Sequence, residues 1–319
     1  MKILANDGID ATGKEMLEKA GFTVDTNKVA QNELSSALKN FEVVIVRSAS
    51  KITKEIIEAN LHLKIIARAG VGLDNVDVET AKRNGIRVIN TPAASSVSVA
   101  ELVFAHLFGM VRFLPQSNRA MPLEGMSNFN ELKKRFSAGI ELRDKTLGII
   151  GFGRIGQEAA RIAIGLGMNV LAFDPFVEKA EIYFYFHPSV LDQRVKIEIK
   201  TISKEDVLKN SDFITLHVPA TDKPAIGAAE FALMKKGAMI VNCARGGVVD
   251  EVALTEALQT GRISFAGTDV FENEPPVNDL LLSNNKISLT PHIGASTLEA
   301  QNRIGIELAE RIIEFGKNQ

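Results

Sequence analysis

An α/β fold with two doubly wound parallel sheets is predicted by three features of the 319-residue sequence. The first hundred residues alternate short apolar runs with amphipathic stretches, the rhythm of strands joined through helices. The rhythm restarts at "KTLGIIGFGRIG" after an irregular interval. At 319 residues the chain also exceeds what one core organises, so two domains are expected. The composition is that of an ordinary globular chain: 45% hydrophobic, 24% charged, formal net charge -2. It shows none of the basic excess that nucleic acid or an anionic membrane demands, so neither is expected as a partner.

The opening "MKILANDGID" does not read as a secretory signal. No apolar run approaches the roughly 18 residues that cross a bilayer. The single cysteine, Cys243, excludes an internal disulfide and a Cys-rich zinc site. A cytoplasmic location and no metal are expected.

In the first series the strand-like runs are "KILAND", "FTVD", "FEVVIVRS", "LKIIARAG" and "IRVINTP", separated by helical stretches. Ligands of such sheets gather beyond the carboxyl ends of the strands. Those ends carry Asn6, Arg47, Arg68 and Asn90. Next, "VSVAELVFAHLFGMVRFL" reads as a helix too apolar for a free surface, to be buried between domains or subunits. "PQSNRAMPLEGMSNFNELKKRFSAG" reads as an irregular arm. In the second series strands are predicted near 146–150, 169–173, 213–217, 238–243, 263–269 and 286–290. Between them, "EIYFYFHPSVLDQRVKIEIK" suggests a hairpin around "HPS". Of two readings, a surface elaboration with edge-guarding charges is preferred to a cover over the adenosine end of a cofactor or an oligomer contact.

"GFGRIG" places Gly151, Gly153 and Gly156 between an apolar strand and an alanine-rich helix. The first glycine permits the turn, the second lets backbone approach a pyrophosphate, and the third brings the helix close to the strand. Asp174 ends the following strand, where an acid accepts from ribose hydroxyls and repels a 2′-phosphate. Its neighbours Phe173, Pro175 and Phe176 bring no cation, so NAD is favoured over NADP.

Oxidising a hydroxy acid needs a base, a group that tunes the base, and a cation for the carboxylate. Among five histidines, His62 reads as solvated, His106 as a satisfied core residue, and His187 lies in the hairpin. His217 in "FITLHVP" is a rival base at the sheet edge. His292 in "SLTPHIGAST" follows a strand and precedes small residues, so its ring is expected in a cleft. Glu274 in "DVFENEPP", aimed by Pro275 and Pro276, would stabilise an imidazolium beside it. Asp269 ends the strand before it. Arg245, in "NCARGGVVDE", stands at the end of a buried strand before two glycines. There a guanidinium either meets a substrate carboxylate or pairs internally with Asp250 or Glu251.

Together, "GFGRIG", "NCARGGVVDE", "GTDVFENEPP" and "PHIGAST", in this order, resemble the NAD-dependent D-2-hydroxyacid dehydrogenases over essentially the whole chain. "VRSASKIT", "RAGVGLDNVD" and "NTPAASSVSVAE" sharpen the likeness. The resemblance implies oxidation of D-3-phosphoglycerate to 3-phosphohydroxypyruvate, which opens phosphorylated serine synthesis. It implies a flavodoxin-like substrate domain (1–97 plus 288–319) and a Rossmann NAD-binding domain (98–287) carrying the dimerisation helix and arm, hence a homodimer. Arg245, Glu274 and His292 would be the catalytic set. Gly151, Gly153, Arg154, Ile155, Gly156, Asp174, His217, Pro219, Cys243, Ala244, Asp269 and Gly294 would hold NAD. Arg47, Arg68, Ala69, Gly70 and Val71, with Arg245 and His292, would bind the phosphorylated hydroxy acid. Lys133, Lys134 or Arg135 of the arm would assist in a second subunit. Two departures stand out: no C-terminal regulatory domain is expected, and the stretch after Asp174 is about a dozen residues longer than usual for the family. Two alternatives remain open: a hydroxypyruvate or glyoxylate reductase, and an NAD-sensing corepressor-like protein.

Overall fold

The structure, a computed structural model, describes residues 1–185 and 194–317. It contains two compact units, Met1–Ser98 with Ala295–Gln319, and Val99–Gly294. In chain order the first unit holds β1 (Lys2–Ala5), α1 (Ala11–Lys19), β2 (Thr23–Asp25), α2 (Leu34–Ala37), β3 (Val43–Val46), α3 (Lys54–Glu58), β4 (Ile65–Arg68), α4 (Val78–Arg83) and β5 (Arg87–Asn90). Then come α5 (Ser96–Val111), α6 (Leu114–Glu124), α7 (Phe129–Arg135), β6 (Thr146–Ile150), α8 (Arg154–Gly165), β7 (Asn169–Phe173), β8 (Lys179–Tyr185) and β9 (Arg194–Lys200). The second unit continues with α9 (Lys204–Asn210), β10 (Phe213–Leu216), α10 (Ala228–Leu233), β11 (Ala238–Asn242), α11 (Glu251–Gln259), β12 (Ile263–Thr268), α12 (Asp279–Leu282) and β13 (Ile287–Leu289). Helix α13 (Leu298–Lys317) closes the first unit by packing on α1.

The first sheet runs β2-β1-β3-β4-β5, all parallel. Its central strand β3, Val-Val-Ile-Val, is buried at every position, as a strand covered on both faces must be. The second sheet runs β13-β12-β11-β10-β6-β7, also all parallel. Strand order reverses between β1 and β3 in one sheet and between β6 and β10 in the other. At such points adjacent crossovers leave in opposite directions and a crevice opens beyond the strand ends.

Three expectations need correction. The arm is two helices, α6 and α7, rather than irregular chain. The apolar helix α5, expected between domains or subunits, sends Val99, Val103, Phe104, Leu107 and Met110 into the second unit's own core beneath β6, β10 and β11. The boundary placed at 288 falls instead after Gly294, because β13 pairs with β12 and so belongs to the six-stranded sheet.

The long segment after Asp174 includes an antiparallel pair, β8 with β9. Like charges face each other in register, Glu181 with Glu198 and Lys179 with Lys200, while ion pairs form on the diagonals, Lys179–Glu198 at 2.9 Å and Lys196–Glu181 at 2.8 Å. Its apolar face, with Ile182 and Ile199 buried, packs against the core beside α8, and Thr201 bridges edge strand β7 at Ala172. The pair thus covers a sheet edge with a charged outer face. The "HPS" segment with His187, where a hairpin was expected, lies outside the described residues.

Candidate active site

At the reversal point of the second sheet, β6 ends in the glycine loop. Gly151 has φ 95°, and a Cβ there would sit 2.6 Å from the His217 carbonyl oxygen at the end of β10. A Cβ on Gly156 would lie 2.2 Å from the Gly151 carbonyl oxygen, so α8 starts hard against the turn. Gly153 faces open space, with no atom within 4 Å of its would-be Cβ. The open side is where backbone can approach a ligand, and Arg154 opens α8, whose amino terminus favours phosphate. Ile155 packs partly into the core below.

Asp174, after β7, accepts from Phe152 N at 2.7 Å through Oδ2 and from Phe176 N and Val177 N at 2.8 and 3.1 Å through Oδ1. Its carboxylate is thereby fixed beside the loop, negative where an adenosine ribose would lie. These features fit a dinucleotide without a 2′-phosphate.

Next to this loop, His217 is not the rival base. The residue is half-buried overall, yet desolvation pushes its imidazole down to about 3, so the ring is neutral at physiological pH, with Nε2 3.1 Å from Thr215 Oγ1. The neutral ring also sets a pH dependence of stability. Its pKa in the fold is depressed, so unfolding takes up a proton at any pH between the free value near 6.5 and about 3. The contribution is present above pH 6.5 and lost on acidification, at about 1.4 kcal/mol per pH unit. Buried His106 is shifted the same way by desolvation, opposed by Asp269. The wild type is expected to lose about 1.4 kcal/mol more than His217→Asn between roughly pH 7.5 and 5.5 in urea unfolding. Equal losses would contradict the buried neutral imidazole. Pro219 beyond it is exposed.

Strand β11 delivers Cys243, Ala244 and Arg245. Burial, aided by Asp269, pushes the Cys243 thiol well up, which keeps it an unreactive neutral thiol. The Asn242 side chain ties the turn, accepting from Ala244 N and donating to the Arg245 carbonyl, both at 3.0 Å. Gly246 cannot carry a side chain, because a Cβ would sit 1.8 Å from the Phe271 carbonyl oxygen. Arg245 is half-buried and its Nη1 donates to Ala244 O at 2.6 Å. The two acids weighed as internal partners are occupied elsewhere. Asp250 caps α11 through Val252 N and Ala253 N, and Glu251 accepts from Glu272 N and Asn278 Nδ2.

His292 Nδ1 lies 2.8 and 3.0 Å from the Glu274 carboxylate oxygens. Both side chains are 38% exposed, so the pair is open to a ligand from solvent. An ionised carboxylate only accepts, so Nδ1 carries the proton and Nε2 is the basic nitrogen. His292 has φ 54°, a left-handed conformation that costs a β-carbon residue on the order of 1–3 kcal/mol. Asp269 holds it there. Its carbonyl accepts from His292 N at 2.8 Å, and its carboxylate accepts from Ile293 N, Gly294 N and Thr290 Oγ1 at 2.8, 2.8 and 2.6 Å. Asp269 is 1% exposed, and the three bonds to its carboxylate offset the desolvation of a buried acid. Sequence reasoning assigned Asp269 to the cofactor and missed this tethering; only the contacts of residues 21 to 25 positions away reveal it.

In the first unit, Arg47 follows β3 at that sheet's own reversal point. Its N–H donates to Asp7 Oδ2 at 2.8 Å, and Asn75 Nδ2 donates to its carbonyl at 2.6 Å. Arg47, Asp7, Asp10, Ala69 and Gln301 line a cleft of about 230 Å³. Both acids there are engaged, Asp7 by Arg47 N, Ser50 N and Ser50 Oγ, and Asp10 by Thr12 N and Asn302 Nδ2. Arg68 folds back over Gly70, with Nη1 3.2 Å from Ala69 O. Asn90 Nδ2 donates to Val71 O at 2.7 Å, pinning the Ala69–Val71 segment. No cluster of three or more metal-ligating side chains occurs among the described residues, and no single helix there is long and apolar enough to cross a membrane.

Residues 104–294 match the family profile described as D-isomer specific 2-hydroxyacid dehydrogenase, NAD binding domain. A D-3-phosphoglycerate dehydrogenase of Methanocaldococcus jannaschii is 43% identical over 98% of this chain, which spans 57% of that relative's length. A hydroxypyruvate reductase of Thermotoga maritima is 41% identical, covering 98% of this chain and 97% of its own. Among solved structures, the NAD+-bound 3-phosphoglycerate dehydrogenase of Entamoeba histolytica superposes with a TM-score of 0.78 at 29% identity, covering 100% of this chain and 96% of that one. The glycine loop, the strand-end arginine and the tethered His–Glu pair are therefore those of a chain that belongs to the D-isomer specific 2-hydroxyacid dehydrogenases, with their NAD-binding domain.

Proposed function

We propose that this chain oxidises D-3-phosphoglycerate to 3-phosphohydroxypyruvate, the opening step of serine synthesis by the phosphorylated route. The observation that carries the reading is the 2.8 Å His292–Glu274 contact on the sheet edge that also bears Arg245 and the glycine loop. In this reading the second unit binds NAD and the first, containing Arg47, binds substrate. His292 Nε2 takes the proton of the C2 hydroxyl while Glu274 stabilises the imidazolium that results. Arg245 holds the carboxylate and polarises the forming carbonyl. NAD, when bound, supplies the two-electron acceptor; Gly151, Gly153, Gly156 and Asp174 would hold its pyrophosphate and ribose. Arg47 and Arg68 take the phosphate. The exposed Leu123, Met126 and Phe129 of the arm support a homodimer contact. Arg135 is held by Glu124 at 3.1 and 3.0 Å, which makes exposed Lys133 and Lys134 the better candidates for reaching a neighbour's site.

The length match to the hydroxypyruvate reductase favours a second reading, in which the substrate carries no phosphate. NADH consumption with 3-phosphohydroxypyruvate and with hydroxypyruvate separates the two. A site built for phosphate is expected to prefer the first by on the order of 10⁴ in kcat/KM, and Arg47→Ala to collapse that ratio. Equal rates would move the protein to the reductases, and an undiminished preference in Arg47→Ala would remove Arg47 from the site.

A further inference from the structure

His106 on α5 is 3% exposed, and the proposed chemistry leaves it unused. Its hydrogen bonds admit one arrangement. Thr290 Oγ1 lies 2.6 Å from Asp269 Oδ1, and an ionised carboxylate only accepts, so the hydroxyl proton points at Asp269. Thr290 Oγ1 must then accept from His106 Nε2, 3.1 Å away, which makes the ring the Nε2–H tautomer. Nδ1 is left as an acceptor for Ser288 Oγ at 2.8 Å. Protonating Nδ1 would require the Ser288 hydroxyl to turn from donor to acceptor, and desolvation disfavours the charged ring. The strand beneath is shaped for this imidazole. A Cβ on Gly267 of β12 would lie 2.9 Å from His106 Cβ and 3.0 Å from Cγ. The far end of the chain of bonds is Asp269, whose carboxylate and carbonyl hold Ile293 N, Gly294 N and His292 N.

We propose that His106 is a positioning residue: through Thr290 it orients the Asp269 carboxylate, which fixes the left-handed backbone of His292 and so the imidazole against Glu274. The inference rests on the reading of His292 as acid/base and extends it inward to a helix 186 positions earlier in the chain.

The test compares His106→Leu, His106→Gln and Thr290→Val with the wild type. His106→Leu and Thr290→Val are each expected to lower kcat by about 10- to 100-fold, the effect of a small misplacement of a reacting group. His106→Gln, whose amide can donate from the Nε2 position, is expected to recover most of it. The double variant His106→Leu/Thr290→Val should be no worse than either single one, since both cut one path. Nitrogen-15 spectra of the histidine rings give a readout independent of turnover: His292 holds the Nδ1–H tautomer in the wild type and averages between tautomers in His106→Leu and Thr290→Val. Should His106→Leu fold poorly, the near-isosteric Thr290→Val decides alone. Unchanged kcat and unchanged His292 signals in Thr290→Val, or additive losses in the double variant, would overturn the proposal. A wild type that turns over no hydroxy acid sinks the reading of His292 as acid/base, while the ring spectra still decide whether His106 positions it.

Discussion

His292→Asn is expected to lower kcat by about 10²–10⁴ while NADH still binds, the loss that follows removal of a positioned general acid/base. The expectation follows from how much of the local fold is spent on this one side chain. A non-glycine residue at φ 54° is unfavourable in isolation, and four hydrogen bonds to Asp269 secure the segment that contains it. The ring is then held with Nδ1 on Glu274. Asparagine tolerates the left-handed conformation better than most residues, so the substitution removes the imidazole without breaking the turn. Glu274→Gln is expected to fall between wild type and His292→Asn. Its amide can present either oxygen or nitrogen to the ring and no longer selects one tautomer. Steady-state kcat with NADH and 3-phosphohydroxypyruvate checks both. A His292→Asn enzyme within about tenfold of wild type would remove His292 from the chemistry.

What the sequence revealed about this site was carried by glycines and strand ends. Gly151, Gly156 and Gly246 stand where a Cβ would collide with backbone at 2.6, 2.2 and 1.8 Å, so the turn geometry left its mark on residue identity. All six strands of the second sheet lie within the predicted windows, because a strand covered on both faces reads as a continuous apolar run. The arm was misread for an equally local reason. Pro115, Pro122 and Gly125 argue against helix, but a proline in the first turn forfeits no hydrogen bond, and α6 accommodates Pro122 inside. The tether from Asp269 to the His292 loop, and the link from His106 to Asp269, left no signal of that kind. Side-chain pairs so far apart in sequence are decided by packing, and a lone histidine in an apolar helix looks the same whether or not it reaches a site. The boundary after Gly294 was hidden likewise, since only pairing with β12 assigns the three residues of β13 to one sheet.

Arg245→Lys is expected to lower kcat/KM by about 10²–10³, the usual cost of removing a donor aimed at developing charge, with the melting temperature nearly unchanged. Backbone and glycine contacts brace the loop that carries Arg245. Asn242 binds the backbone on both sides of it, and Gly246 locks the chain against Phe271. Asp250 and Glu251, the two acids weighed from the sequence, cap α11 and brace the Glu272–Asn278 segment. A guanidinium offers a planar fork that matches a carboxylate and keeps its charge at any working pH, whereas an ammonium is a point charge that cannot bind both oxygens in the same plane. Lysine therefore preserves the charge and loses the geometry, which makes this substitution more informative than alanine. If activity and melting temperature fall together, by more than about 4 °C, Arg245 is holding the fold and the substrate assignment is wrong. If kcat/KM alone collapses, the guanidinium is reserved for a bound carboxylate, and its position at the end of a buried strand reflects the need to meet that ligand from a rigid support.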